Sequence, residues 1–219
     1  AVLFSKIDWN KDKFVLSKGW AAASLYYFLW KAGKITEEEL NSYCKEGSKF
    51  IGLAENIIPE IPIAGGSLGL GFPGAVGLAM AKKINKEEGK VYVLMSDGEM
   101  QVGTTWESAL IAVHHKLDNL VVLVDNNGFC AMGKTNEILN IEPLENKWEA
   151  FGWDWARIDG HDYKAIETEL FNIPSGQPRV IICDTIKGKG VSFMEGDNVW
   201  HYRAPNKDEH EEALKKLNV

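Results

Sequence analysis

The 219-residue chain predicts an α/β fold: a doubly wound, mostly parallel sheet with helices on both faces. Three observations predict it. Apolar runs of strand length alternate with stretches of helical periodicity along the chain. Residues 90–133, KVYVLMSDGEMQVGTTWESALIAVHHKLDNLVVLVDNNGFCAMG, read as strand, glycine turn, helix, strand and polar loop, a βαβ unit whose strands must be parallel. No internal repeat or linker divides the chain, so residues 1–219 read as one domain.

Taken in order, residues 1–16 read as the end of a helix, a charged loop from Asp8 to Lys13 and a short apolar strand. The chain begins AVLF without Met, which leads us to expect residues upstream of Ala1. Ser17 is placed to cap a helix over 18–32 that Gly33 stops; Trp20, Leu25, Tyr26, Phe28 and Leu29 surround much of it, so it is expected to be buried. Thr36 and Glu39 form a capping box that opens a helix to about residue 45. Pro59 and Pro62 break the stretch 47–65, and the glycine-rich 65–71 leads into a small-residue helix over 73–84. Residues 91–95 and 120–124 are strands, and between them 104–116 carries Trp106, Leu110, Ile111 and Val113 at helical spacing. A short helix over 144–151, a strand over 155–158, an Asp162-capped helix to 172, a strand over 179–186 and a charged helix over 207–217 complete the chain.

The composition narrows the function. With 24 Lys and Arg against 31 Asp and Glu, the net charge of −7 argues against nucleic acid as a general partner. No apolar run approaches the length of a membrane span. The three cysteines are widely spaced and lack metal-ligand spacing, which suits a reducing, cytoplasmic setting, and no signal peptide is read.

In the βαβ unit the two strand ends, Ser96-Asp97-Gly98 and Asp125-Asn126-Asn127-Gly128, lie at one edge of the sheet, where open α/β sheets bind ligands. Asp97 and an Asn oxygen are hard ligands suited to Mg²⁺. Gly98 turns the backbone, is expected to leave its N–H free for an anion, and precedes a helix that aims its positive end the same way. The pairing suits a diphosphate bridged to a divalent metal; a helix cap and an ordinary turn are the plainer alternative. Gly69-x-Gly71-x-x-Gly74 imitates a dinucleotide fingerprint, but two prolines spoil the strand that should precede it, so a nicotinamide enzyme is disfavoured.

The segment SDGEMQVGTTWESALIAVHHKLDNLVVLVDNNG resembles the thiamine diphosphate motif in its transketolase form. FVLSKG at 14–19, GGSLGLGFPGAVGLAMA at 65–81 and DTIKGKGVSFMEGDNVWH at 184–201 extend the resemblance over nearly the whole chain, most closely to the amino-terminal half of split, two-subunit transketolases. The resemblance implies thiamine diphosphate and Mg²⁺ as cofactors, with Asp97, Asn127 and the Phe129 carbonyl as metal ligands. It implies Gly66, Leu68, Gly98, Asn127, Ile186 and His201 as cofactor contacts. His201 would be the hydrogen-bonding or acid–base histidine, and Glu107 the motif-helix carboxylate at a dimer contact. Lys187 and Lys189 could attract a sugar phosphate. The implied activity is transfer of a two-carbon ketol unit between ketose and aldose phosphates, as in the pentose phosphate pathway. The implied partners are a second copy and a separate carboxy-terminal subunit carrying the pyrimidine-binding domain, in an α₂β₂ assembly.

The departures also bear on function. Trp20 and Leu53 stand where the family has histidines, Val102 replaces an acidic residue and Tyr202 a glycine. Indole keeps one N–H donor, leucine none, and neither titrates. Two alternatives therefore stay open: a thiamine diphosphate enzyme of the same superfamily with another substrate, and a non-catalytic assembly subunit.

Overall fold

The computed structural model describes residues 1–173 and 175–218. Its centre is a five-stranded sheet in the order β1-β2-β3-β7-β6, every pairing parallel. The strands are β1 (Lys13–Leu16), β2 (Val91–Ser96), β3 (Leu120–Asn126), β6 (Asp154–Asp159) and β7 (Arg179–Asp184). A two-residue hairpin pairs β4 (Phe129–Cys130) with β5 (Gly133–Lys134). The helices are α1 (Ala22–Lys31), α2 (Glu37–Asn41), α3 (Gly71–Asn85), α4 (Gly103–His114), α5 (Thr135–Ile138), α6 (Leu144–Ala150), α7 (Tyr163–Phe171) and α8 (Lys207–Leu217).

Alternation along the strands feeds two cores. One face presents Val91, Val93, Met95, Val122, Val124, Val180 and Ile182 to α3, α4 and α6, where Phe72, Ala109 and Trp148 are fully buried. The other presents Phe14, Leu16, Tyr92, Val121 and Ile181 to α1 and α7, through Tyr26, Leu29 and Leu170. Burial on both faces explains why the central strands read as continuous apolar runs.

Several expectations are corrected. Ser17 does not cap α1: it is buried and its hydroxyl donates to the Glu99 carboxylate, while a 3₁₀ turn at Gly19–Ala21 leads into the helix. Residues Leu3–Ser5 form a 3₁₀ turn. The Thr36 capping box is present, but α2 ends at Asn41, and β7 ends at Asp184 rather than 186. The inward side of α4 is made of Thr105, Ser108, Ala109 and Ala112, whose small side chains let the helix lie close to its neighbours. Leu110 and Ile111 are left 57% and 44% exposed. Asp162 caps α7 as expected, accepting from the N–H groups of Lys164 and Ala165.

Candidate functional site

Neighbouring parallel strands bring their carboxyl ends together, and here the register sets Ser96 of β2 opposite Asp125 of β3. Beyond that edge lies a cleft of about 300 Å³. Its walls include Gly66, Leu68, Gly98, Asn127, Phe129 and His201, all expected from sequence, together with Lys18, Trp20, Cys130 and Lys187.

Asp97 sits beneath the cleft and is 0% exposed. Its Oδ1 accepts from the Gly98 N–H at 2.8 Å and its Oδ2 from the Gly128 N–H at 2.7 Å. Gly98 is thus corrected in two respects. Its N–H is engaged by the preceding carboxylate rather than free, and a 3₁₀ turn at Asp97–Gln101 separates it from the start of α4. Glycine is favoured there by crowding, since an added Cβ would lie 3.2 Å from Cys130 Cβ.

Burial raises the Asp97 pKa to about 6 against the pull of the two N–H groups. No Lys or Arg pairs with it among the described residues. A buried carboxylate without a cationic partner, bonded to the loop that puts Asn127 and Phe129 on the cleft wall, fits a hard divalent cation. Asn127 is oriented for the same edge: its Oδ1 accepts from the Phe129 N–H at 3.0 Å, and its Nδ2 lies 3.4 Å from Asp125 Oδ2. Among the described residues no three His, Cys, Asp or Glu side chains cluster as a metal site, so any ion here would depend on mixed ligands.

Sequence reasoning missed the groups that hold this edge in shape. Asp125 pairs with Lys18 Nζ and accepts from the Thr185 hydroxyl. Burial would raise its pKa, but Lys18 and these bonds bring it below the usual carboxylate range. Glu99, fully buried, accepts from Ser17 and from the Ser96 N–H, and burial raises its pKa. The Ser96-x-x-Glu99 spacing was a readable signal for that turn.

The remaining predicted residues separate into two groups. His201 lines the cleft, its ring centroid 6.0 Å from that of Trp20, and its pKa is lowered by burial and then by Lys187 and Lys18. Trp20 is 64% exposed at the mouth. Glu107 and Ile186 do not line the cleft. Glu107 lies on the exposed side of α4, and Ile186 donates its N–H to His161 Nε2 at 2.9 Å, giving that histidine a structural role that sequence did not reveal. Gly66 is favoured by its φ of +115°, which side-chain-bearing residues rarely adopt, and an added Cβ would also displace the Leu53 Cδ2 atom, 2.6 Å away.

Fold and site define an α/β domain with a cleft at the carboxyl edge of a parallel sheet, beside a buried carboxylate that has no Lys or Arg partner among the described residues. The family described as transketolase, thiamine diphosphate binding domain, matches residues 5–218, and the chain belongs to that family. An apulose-4-phosphate transketolase subunit from Actinobacillus succinogenes is 41% identical over 213 residues, which cover 96% of this chain and 77% of that protein. A 6-deoxy-6-sulfo-D-fructose transketolase subunit from a Clostridium species is 37% identical over 195 residues, covering 88% of this chain and 71% of that one. The crystal structure of Campylobacter jejuni transketolase superposes with a TM-score of 0.89 at 31% identity, covering all of this chain but 35% of that one.

Proposed function

We propose that the chain is the diphosphate-binding subunit of a thiamine diphosphate-dependent transketolase, working with a separate pyrimidine-domain subunit. The reaction moves a two-carbon ketol unit between sugar phosphates in the cytoplasm, and no helix among the described residues is long and apolar enough to cross a membrane. The observation that carries this reading is the Gly128 N–H to Asp97 Oδ2 bond, because it joins the two strand tips whose side chains must share one ion.

In this reading Asp97, Asn127 and the Phe129 carbonyl hold Mg²⁺ against the diphosphate. Lys18 and Lys187 add positive charge to the cleft, where a small anion is attracted despite the net charge of −7. Gly66 and Leu68 offer a wall that the cofactor's ring system can approach closely. When bound, the cofactor's thiazolium serves as the electron sink for the ketol carbon. His201, held neutral at pH 7, offers a ring nitrogen to accept or donate a hydrogen bond at the cleft wall. Subunit names among the relatives support a two-chain enzyme; the assembly proposed for it is an α₂β₂ built on a homodimer of this chain.

A second reading keeps the cofactor and changes the substrate. It is favoured by Trp20, which puts a large apolar ring at the cleft mouth, and by relatives whose names carry different sugars. Titrating the chain with thiamine diphosphate and Mg²⁺, alone and with the neighbouring gene's product, tests the binding role. Absence of any uptake leaves a non-catalytic assembly subunit. Ketol transfer between ketose and aldose phosphates then separates the two enzymatic readings, and cofactor uptake without turnover of those sugars selects the second.

A further inference from the structure

We propose that Arg157 is a positioning residue that staples together the two ends of the loop carrying Asn127 and Phe129 into the cleft. The loop leaves the sheet after Asn126, the last residue of β3, and returns at Glu142, just before α6. Asn127, Phe129, Cys130 and Ala131, all on this excursion, line the cleft. β4, β5, α5 and the Gly128 bond to Asp97 order the body of this excursion, so what remains to be held is its base, where Asn126 and Glu142 leave and rejoin the sheet layer.

Arg157 supplies that hold from β6, outside the cleft. Its Nε and Nη2 donate to the two oxygens of Asp184 at 2.9 and 3.0 Å. Its Nη1 and Nη2 donate to the two oxygens of Glu142 at 3.1 and 3.0 Å, and Nη1 also reaches Glu145 Oε2 at 2.7 Å. Asp184 in turn accepts from Asn126 Nδ2 at 2.7 Å. One end of the loop is therefore gripped through Asp184 and the other directly at Glu142. The paired registers Asn126↔Asp184 and Arg157↔Ile182 fix the donors on rigid strands, all on one face of the sheet. A planar guanidinium can serve two carboxylates bidentately at once, which an ammonium cannot. Without it, three carboxylates would face one another and push Glu142 away from Asp184, opening the base.

Glu145 provides the internal control, because it shares the same guanidinium but belongs to α6 rather than to a loop end. Hydrogen exchange on the unliganded protein reads the staple directly. Arg157→Met and Glu142→Gln are expected to speed amide exchange across 127–141 by roughly tenfold or more, while Glu145→Gln leaves it near wild type. Equal effects of the two glutamate variants, or unchanged exchange in Arg157→Met and Glu142→Gln, overturn the proposal. If Arg157→Met does not fold, the two glutamate variants decide the matter between them. A second arm, resting on the cofactor reading above, titrates each variant with Mg²⁺ and thiamine diphosphate. Weakening of roughly tenfold is expected for Arg157→Met and Glu142→Gln and none for Glu145→Gln. Failure of the wild type to take up the cofactor refutes that reading, while the exchange arm still tests the staple.

Discussion

The Gly128 backbone N–H donates to Asp97 Oδ2 at 2.7 Å, tying the loop after β3 to a buried carboxylate at the tip of β2. If that carboxylate grips a metal, Asp97→Ala should weaken Mg²⁺-dependent retention of thiamine diphosphate by roughly a hundredfold or more. Asp97→Asn removes a buried carboxylate that lacks a cationic partner but turns an NH₂ toward one of the two N–H groups that Asp97 satisfies. The two effects oppose, so its melting temperature in metal-free buffer should stay near that of wild type. Calorimetric titration and thermal melts check both halves. Undiminished retention in Asp97→Ala would show that the ion is held elsewhere.

The meeting of these two strand tips was legible in the sequence, from a strand ending in Asp-Gly and another ending in Asn-Asn-Gly, but the Gly128 bond to Asp97 was not. The helices over Glu37–Asn41 and Tyr163–Phe171 were legible from equally local signals, their caps, and Lys207–Leu217 from its charged composition. What stayed hidden depends on contacts distant along the chain. Ser17 meets Glu99 across 82 residues, and Lys18 meets Asp125 across 107, so Ser17 reads as a helix cap when its hydroxyl is committed to the core. The face of α4 was hidden too, because apolar spacing cannot say whether a stripe meets the sheet or something outside the chain.

Gly66 is held by two separable constraints, a left-handed φ of +115° and the closeness of Leu53. Gly66→Ala should lower stability by about 2–4 kcal/mol, combining strain with overpacking. Leu53→Ala removes the steric part, so Gly66→Ala should cost less in the Leu53→Ala background than in the wild type, the backbone strain alone remaining. Urea unfolding of the four proteins in the cycle reads the coupling. Strict additivity would mean that the two side chains do not meet.

His201 should titrate below 6.5 in the free protein, since burial, Lys187 and Lys18 all disfavour its cation. The sign follows from proton uptake. Between the lowered native pKa and the unfolded value near 6.5, the unfolded chain binds more protons, so this contribution to stability is intact above about pH 6.5 and is lost as pH falls below it. Lys187→Met removes one of the opposing charges and should move the midpoint upward. Imidazole proton shifts followed by NMR from pH 4 to 8 measure both. A wild-type midpoint at or above 6.5 would contradict the assigned surroundings.

Leu110 and Ile111 stand exposed on α4, and Glu107 lies one turn away on the same side of the helix. Two large aliphatic side chains in water on a helix whose inner side is already satisfied by Thr105, Ser108, Ala109 and Ala112 argue for a covered face in the working assembly. The occupant consistent with the proposed homodimer is a second copy, which would also bring Glu107 toward a site it does not reach within its own chain. Wild-type protein should then run as a dimer in light scattering at concentrations of about 10 µM, a range expected for a standard-sized interface. Leu110→Glu with Ile111→Glu should give monomers with an unchanged circular dichroism spectrum, because neither side chain supports the core. Tyr163→Glu, at a residue more exposed than either and on α7, should leave the dimer intact. A monomeric wild type, or a double variant that still dimerises, would move the interface away from α4 and leave Glu107 as a surface residue at the start of a helix.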